Sequence, residues 1–315
     1  MSGFSDSHLT PAARAFVDEW FGPGDFVEAH TSGSTGAPKP VRLPKDDMRR
    51  SARATNEFFG VGPDDTLLLP LSPDYIAGKM QIVRAVEAGC RVVCEQPSNS
   101  PFPVVVASGA RTVPLVPSQI DGFMRSPMCP LTQNIIIGGA PLSREAEHRL
   151  LLSGANAFAT YGMTETCSHV ALRPLGSDEF VALPAFTFSV DSRGCLVIHA
   201  RGFSFGTLVT NDMVSLTGSR RFRWLGRYDN VINSGGVKIH PEEIEKLISP
   251  RLPSGTRFYV TSRQSSRWGE EAVLVTDNPS VTIDLLPDLG IKRPKEVIVS
   301  EISLTSSGKI IRRKF

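Results

Sequence analysis

Apolar residues recur along this chain in two rhythms, and the change from one to the other outlines its elements. Phe16, Val17, Trp20 and Phe21 follow Thr10-Pro11 on one helical face. That spacing predicts a helix with Thr10 as N-cap and Pro11 as its first residue. Helical spacing returns over 45–59 and again over 76–88, where Gly89 predicts a stop. Short apolar runs between and after these helices read as strands: Leu67-Leu68-Leu69, Val92-Val93, segments near 104–106 and 113–116, 134–137 and 157–160. Ser143 is placed to cap a helix through Leu152. Strands alternating with helices predict a layered α/β domain. From about residue 180 the pattern shifts to short strands and Gly turns, including 195–199 and 207–210. From 229 onward a Gly-rich turn, a helix over 241–248, strands near 257–261 and 271–275 and a basic tail predict a smaller α+β domain. The boundary is set at Gly226-Arg227-Tyr228-Asp229, giving domains 1–228 and 229–315.

A chain of 315 residues, 41% of them hydrophobic, can bury one sizeable core and a second smaller one. A formal net charge of +2 gives no polycationic face for nucleic acid. The five cysteines form an odd set without a CxxC pair, which argues against a disulfide framework or zinc cluster and for a reducing cytoplasm. Residues 1–20 carry Asp6, Asp18 and Glu19 and lack an apolar signal core, and no stretch approaches a membrane span. The expected location is the cytoplasm.

Candidate chemistry starts at Thr31-Ser32-Gly33-Ser34-Thr35-Gly36-Ala37-Pro38-Lys39. Two glycines allow a turn whose N–H groups converge on a phosphate, the hydroxyls add donors, and Lys39 adds a point charge. Gly36 is followed by Ala37, so this is not a Walker A loop. Downstream come Tyr161-Gly162-Met163-Thr164-Glu165-Thr166, Thr210-Asn211-Asp212, Gly226-Arg227-Tyr228-Asp229 and Gly235-Gly236-Val237-Lys238-Ile239-His240-Pro241-Glu242-Glu243-Ile244-Glu245. Last is Thr305-Ser306-Ser307-Gly308-Lys309-Ile310-Ile311-Arg312-Arg313. In this order the segments resemble the signatures of the AMP-forming acyl-adenylating superfamily, from about residue 28 to the end. Asn211 departs from that pattern, which has Gly.

The resemblance implies ATP, Mg²⁺ and coenzyme A, and a role for each position. The 31–39 loop would hold the ATP phosphates through Thr31, Ser32, Gly33, Ser34, Thr35, Gly36 and Lys39. Gly139-Ala140-Pro141 would wall the adenine pocket, Tyr161 would lie against the base, and Gly162 would belong to the same nucleotide site. Thr164 would hold the α-phosphate, Glu165 would bind Mg²⁺, and Asp212 and Arg227 would take the ribose. Lys309 would sit between carboxylate, α-phosphate and ribose oxygen, stabilising developing charge. A carboxylate is ionised at neutral pH, so no general base is required. Asp229 would be a hinge. Rotation there would withdraw Lys309 and bring Gly235, Gly236 and Lys238 to the adenylate for the thiol step.

Members of this superfamily usually carry a long segment before the phosphate loop, where this chain has 30 residues, so a front subdomain is expected to be absent or reduced. Short forms resemble o-succinylbenzoate–CoA ligases of menaquinone biosynthesis. In the segment from Leu71 to Arg84, Tyr75 matches an aromatic gate and Arg84 the arginine that meets a second substrate carboxylate. Lys79 and His169 complete the expected acyl pocket. Partners are then the acid, ATP and coenzyme A, without nucleic acid or membrane and with a homodimer as the candidate assembly. Two alternatives stay open: another aryl or short-chain acid ligase, with coenzyme A or a carrier-protein thiol as acceptor, and a nucleotide-binding protein without turnover.

Overall fold

The structure is a computed structural model that describes residues 4–30, 40–99, 109–305 and 310–315. It divides into two compact units. One comprises Met1–Leu142, Ala146–Thr187 and His199–Leu208; the other comprises Ser143–Glu145, Phe188–Ile198 and Val209–Phe315.

The first unit opens with β1 (Ser5–His8), α1 (Pro11–Phe21), β2 (Phe26–His30), β3 (Pro40–Pro44) and α2 (Lys45–Phe59). There follow β4 (Thr66–Leu69), α3 (Ile76–Ala88), β5 (Arg91–Cys94), β6 (Ala110–Leu115), α4 (Ile120–Arg125), β7 (Thr132–Ile137), α5 (Arg144–Leu152), β8 (Ala157–Gly162), β9 (His169–Pro174) and β10 (Phe180–Ala182). Strand order is β1-β5-β4-β6-β7-β8-β9-β10. All neighbours from β1 to β8 are parallel, and β8/β9 and β9/β10 are antiparallel.

Parallel strands need crossover helices, which cover both faces and leave the strands apolar throughout. Leu67 and Leu69 accordingly pack with Phe16 and Trp20 of α1, Met48 of α2 and Met80 and Val83 of α3. Leu68, between them, points the other way, into a core with Val113, Ile135, Phe123 of α4 and Leu150 of α5. The helices start and stop where local chemistry directs. Thr10 Oγ1 accepts the Ala13 N–H at 3.3 Å at the start of α1, and left-handed Gly60 and Gly89 end α2 and α3. Buried Lys45 donates to the carbonyls of Glu19 and Gly22 at 3.0 and 2.9 Å, closing the end of α1.

The strands of the second unit begin with β11 (Phe186–Val190), β12 (Cys195–Ala200), β13 (Thr207–Gly218) and β14 (Arg221–Arg227), in the order β14-β13-β12-β11. The chain continues through β15 (Ile232–Ser234), β16 (Val237–Ile239), α6 (Pro241–Ile248), β17 (Phe258–Ser265), β18 (Gly269–Thr276) and β19 (Val297–Val299). These strands form a separate sheet, β16-β15-β18-β17 with β19 beside β18, and Ile244 and Ile248 of α6 pack on its Ile232, Ile239, Val260 and Leu274.

The strand expected near 104–106 lies outside the described residues. The strand expected to end at 210 continues to Gly218 and turns into β14, which the spacing did not reveal. Its outer stretch is solvated, and Arg221 and Arg223 interrupt the apolar pattern on either side of buried Phe222. In the tail, Arg312 holds Glu245 with both Nη atoms, Nη2 at 2.8 Å from Oε2, and Nη1 also meets the Val260 carbonyl at 2.9 Å. Removing one partner of a largely buried, bidentate pair strands the other charge. Arg312→Ala is therefore expected to destabilise the second unit by roughly 2–4 kcal/mol, with Arg312→Lys recovering part of the loss in urea denaturation.

Candidate active site

Parallel strands that lie side by side deliver the loops at their C-terminal ends along one edge. β4, β6, β7 and β8 do so here. Gly139-Ala140-Pro141 follows β7, the Thr164–Thr166 turn follows β8, and Tyr75 closes the loop after β4 as the N-cap of α3. The turn after β8 is tight. A Cβ on Gly162 would lie 2.2 Å from the Ser168 carbonyl oxygen, so only glycine fits there. The Thr166 hydroxyl lies 2.7 Å from that same carbonyl and accepts the Met163 N–H at 3.0 Å, and Cys167 takes a left-handed φ of 62°. Such strain persists only where the surroundings over-determine it. The result is a buried Thr164 and an exposed Glu165 whose carboxylate has no hydrogen-bond or ion-pair partner among the described residues. Tyr161 is half-buried and packs edge-on against Phe180, with centroids 5.9 Å apart. The Cys167 thiol is pushed up to about 12 by burial, with Asp47 adding to it, so it stays protonated.

Arg84 and His169 are brought into one buried polar cluster. Arg84 is 3% exposed; Nη1 donates to Gln81 Oε1 at 3.1 Å and Nη2 to Ser168 Oγ at 2.8 Å. Its Nε has no partner, and among the described residues no carboxylate pairs with it. Burial lowers its guanidinium to about 10. His169 lies between Ser168 Oγ at 3.3 Å from Nδ1 and Thr55 Oγ1 at 3.1 Å from Nε2. Burial first, and then Arg84, hold its imidazole well below the usual range.

Lys79 is not part of that cluster. Five residues along a helix turn it about 140° away from Arg84. Its ammonium lies 3.7 Å from Glu19 Oε2 and 4.5 Å over the Phe16 ring. Tyr75 is exposed at the opposite end of α3.

In the second unit Asp212 and Arg227 are cross-strand partners on β13 and β14, with Nη1 3.6 Å from Oδ1. Trp224 Nε1 donates to Asp212 at 3.1 Å, a contact that no motif marks. Asp229 is exposed and 3.4 Å from Arg227. Gly235 and Gly236, with φ of 55° and 82°, form the two-residue turn between β15 and β16, and Lys238 follows on β16. Trp268 packs against Gly235, where a Cβ would come within 2.6 Å of the indole.

Thr31, Ser32, Gly33, Ser34, Thr35, Gly36, Lys39 and Lys309 lie outside the described residues; His30 and Pro40, which flank the loop, are paired on β2 and β3. A depression of about 480 Å³ beside Trp20, Phe26 and Arg49 contains none of the expected residues. No helix among the described residues is long and apolar enough to cross a membrane.

The depressed imidazole has a consequence for stability. Below pH 6.5 the unfolded chain takes a proton at position 169 that the folded chain resists, so stability falls as pH drops through and below 6.5. The slope from this residue is at most about 1.4 kcal/mol per pH unit. Urea denaturation between pH 7.5 and 5.5 is expected to show a steeper loss for the parent chain than for His169→Asn.

A family model described as AMP-binding enzyme matches residues 24–195, more than half of the chain. The chain is 26% identical over 300 residues to the 2-succinylbenzoate–CoA ligase of Salmonella typhimurium, covering 90% of this chain and 65% of that one. It is 27% identical over 335 residues to the indoleacetate–CoA ligase of Aromatoleum aromaticum, covering 89% and 64%. It thus spans somewhat under two thirds of the length of these two curated relatives. Among solved structures, an acyl-CoA synthetase (AMP-forming)/AMP-acid ligase II-like protein from Dyadobacter fermentans is similar at 31% identity and a TM-score of 0.66. That match covers 97% of this chain and 94% of the other. The o-succinylbenzoate coenzyme A synthetase of Bacillus subtilis, in complex with ATP and magnesium, shares the fold at a TM-score of 0.73 and 21% identity over 90% and 68% of the two chains. With the turns at the ends of its parallel strands and the family match across them, this chain belongs to the AMP-binding enzyme family.

Proposed function

We propose that this protein activates a dicarboxylic aromatic acid, 2-succinylbenzoate, as its acyl-adenylate at the expense of ATP and transfers the acyl group to coenzyme A. The substrate carboxylate attacks the α-phosphorus, the new O–P bond forms, and pyrophosphate leaves. The coenzyme A thiol then attacks the acyl carbon and AMP departs. Family membership and the likeness to the Salmonella typhimurium ligase support the reaction class. Each residue has a task. Thr164 and the 31–39 loop hold phosphate oxygens, Asp212 takes the ribose hydroxyls with Arg227 beside it, and Tyr161 and Gly139-Ala140-Pro141 flank the base. Lys309 places its cation where two anions must approach. Gly235, Gly236 and Lys238 serve the thiol step, with Asp229 as hinge between the half-reactions. An exposed Glu165, unpartnered among the described residues, suits Mg²⁺, which keeps most of its waters and takes one or two carboxylates. When bound, the ion neutralises phosphate charge. Five free cysteines fit a reducing cytoplasm as the place of work.

Arg84 carries the choice of acid. Burial lowers the guanidinium to about 10, so the charged form is held at a cost in this interior. At neutral pH the guanidinium stays charged, buried and without a carboxylate partner among the described residues. A second substrate carboxylate offsets that cost; a methyl or methylene cannot. The similarity to the indoleacetate–CoA ligase favours, as a second reading, an aryl monocarboxylate. In that case Arg84 would be a structural cation.

ATP–pyrophosphate exchange across a panel of acids tests the choice. 2-Succinylbenzoate is expected to outperform its distal methyl ester at least tenfold, and Arg84→Ala to erase that preference; equal rates for diacid and ester would point to the monocarboxylate reading. Lys309→Ala is expected to abolish adenylate formation while sparing thioester synthesis from a supplied acyl-adenylate. Loss of both half-reactions together would argue against separate roles.

A further inference from the structure

Among the described residues Ser168 is the side chain that joins Arg84 to His169, and the direction of its hydrogen decides what the guanidinium meets. We propose that Thr55 and His169 are positioning residues that lock the Ser168 hydroxyl with its oxygen toward Arg84, so that the guanidinium is held in the one orientation in which it meets the second substrate carboxylate. This rests on the reading of Arg84 as the receiver of the second substrate carboxylate.

The hydrogen bonds admit one consistent arrangement. A guanidinium only donates, so Ser168 Oγ accepts from Arg84 Nη2 at 2.8 Å. The single hydroxyl hydrogen of Ser168 then has His169 Nδ1, at 3.3 Å, as its acceptor among the described residues. Nδ1 must therefore be the bare nitrogen, and Nε2 carries the proton. Nε2–H donates to Thr55 Oγ1 at 3.1 Å. Thr55 sends its own hydrogen to the Ser51 carbonyl at 3.0 Å. The order runs from Arg84 through Ser168, His169 and Thr55 to the backbone of α2, every donor meeting one acceptor. The other tautomer would give Ser168 Oγ two incoming donors and leave its own hydrogen without an acceptor here.

The far side of Arg84 is fixed in the same way. Gln81 Nε2 donates to the carbonyls of Leu68 and Thr112 at 3.0 and 3.3 Å, which turns its Oε1 to Arg84 Nη1. Asn56 Nδ2 holds the Arg84 carbonyl at 2.8 Å. Two neutral oxygens thus grip the guanidinium at Nη1 and Nη2, while among the described residues no group meets the buried Nε. Both ring nitrogens of His169 are engaged within the chain, so it acts through Ser168 rather than on a substrate. A protonated His169 would present a second N–H to Ser168 and a like charge to Arg84, and burial with Arg84 nearby keeps it neutral.

The full-length chain and its variants Thr55→Val, Thr55→Ser and Arg84→Lys are compared by steady-state kinetics with 2-succinylbenzoate and with its distal methyl ester. Thr55→Val keeps the shape and removes the hydroxyl. It is expected to raise KM for the diacid on the order of tenfold, the effect of misaligning one charge-assisted hydrogen bond, with kcat and KM for ATP within about twofold. KM for the ester should not move, and Thr55→Ser should restore the parent value. A Thr55→Val rise shared equally by diacid and ester, or absent, overturns the proposal. If Arg84→Lys leaves discrimination between diacid and ester untouched, the underlying carboxylate reading fails and the relay with it. A change in Arg84→Lys with none in Thr55→Val removes the relay alone. Nitrogen-15 NMR of the histidine-labelled chain reads the tautomer independently of turnover. A neutral Nε2–H form at position 169 between pH 6 and 8 is expected, assigned by its loss in His169→Asn; an Nδ1–H form or an imidazolium overturns the proposal even if a variant is inactive.

Discussion

The first unit depends on one constraint: its central strands run parallel. A parallel pair cannot be closed by a tight hairpin, so each strand is followed by a crossover, and crossovers bury both faces of the sheet. Leu67, Leu68 and Leu69 can all be apolar because successive side chains enter opposite cores, and both cores are filled. Parallel direction also aligns the C-terminal ends of β4, β6, β7 and β8. Among the described residues, the candidate turns Gly139-Ala140-Pro141 and Gly162 to Thr166 and the approach to Tyr75 leave from those ends. Polar backbone unsuited to a core is thereby delivered to one edge.

Against that apolar background the cluster around Arg84 stands out by cost. An isolated buried ion is among the most expensive features a core can hold, and neutral hydrogen bonds compensate only part of it. Gln81 and Ser168 supply neutral oxygens, while Nε is left unmatched. A sequence under selection for stability alone would place Leu or Met at 84. A buried, oriented and incompletely satisfied cation makes sense where an anion completes it. Under the proposed reading the bound acid would raise stability, since whatever binds only the folded form adds to it by mass action.

How much of this was readable beforehand followed the range of the interactions. The start of α1 and the bounds of α2, α3 and α6 were legible to within a residue, because helix signals are local: Thr10-Pro11, Gly89 and Pro241 act on the turn beside them. β14 was not, since Arg221 and Arg223 hide a strand whose one buried aromatic is Phe222. Arg84 was legible as a candidate, yet nothing in the spacing announces Thr55 or Gln81 as its supports. Thr55 lies 114 residues from His169 in the chain and meets it only through the packing of α2 near the start of β9. Trp224 escaped for the same reason: its bond to Asp212 exists because β13 and β14 pair, not because of any motif. Lys79 was singled out by its closeness to Arg84 in the chain, and its helical phase turns it toward Glu19 and Phe16.

Asn211 stands where the superfamily pattern has glycine, and the second unit shows what absorbs the change. Its Oδ1 accepts from Arg193 Nη1 at 2.9 Å, and its Nδ2 lies 3.5 Å from Asp229 Oδ2. Arg193 is itself held by Asp191, donates to the Thr210 carbonyl at 3.2 Å and lies 5.1 Å over the Tyr228 ring. A glycine would leave Arg193 without this side-chain acceptor and would leave Asp229 tied to Arg227 alone. The substitution therefore does not weaken the segment before Asp212; it adds an amide that links that segment to the turn holding Asp229. The 3.5 Å contact is long for a hydrogen bond, and an exposed pair of that kind contributes little to stability. What the asparagine supplies is the Arg193 contact: its Oδ1 ties the segment before Asp212 to the turn in which Asp191 holds Arg193.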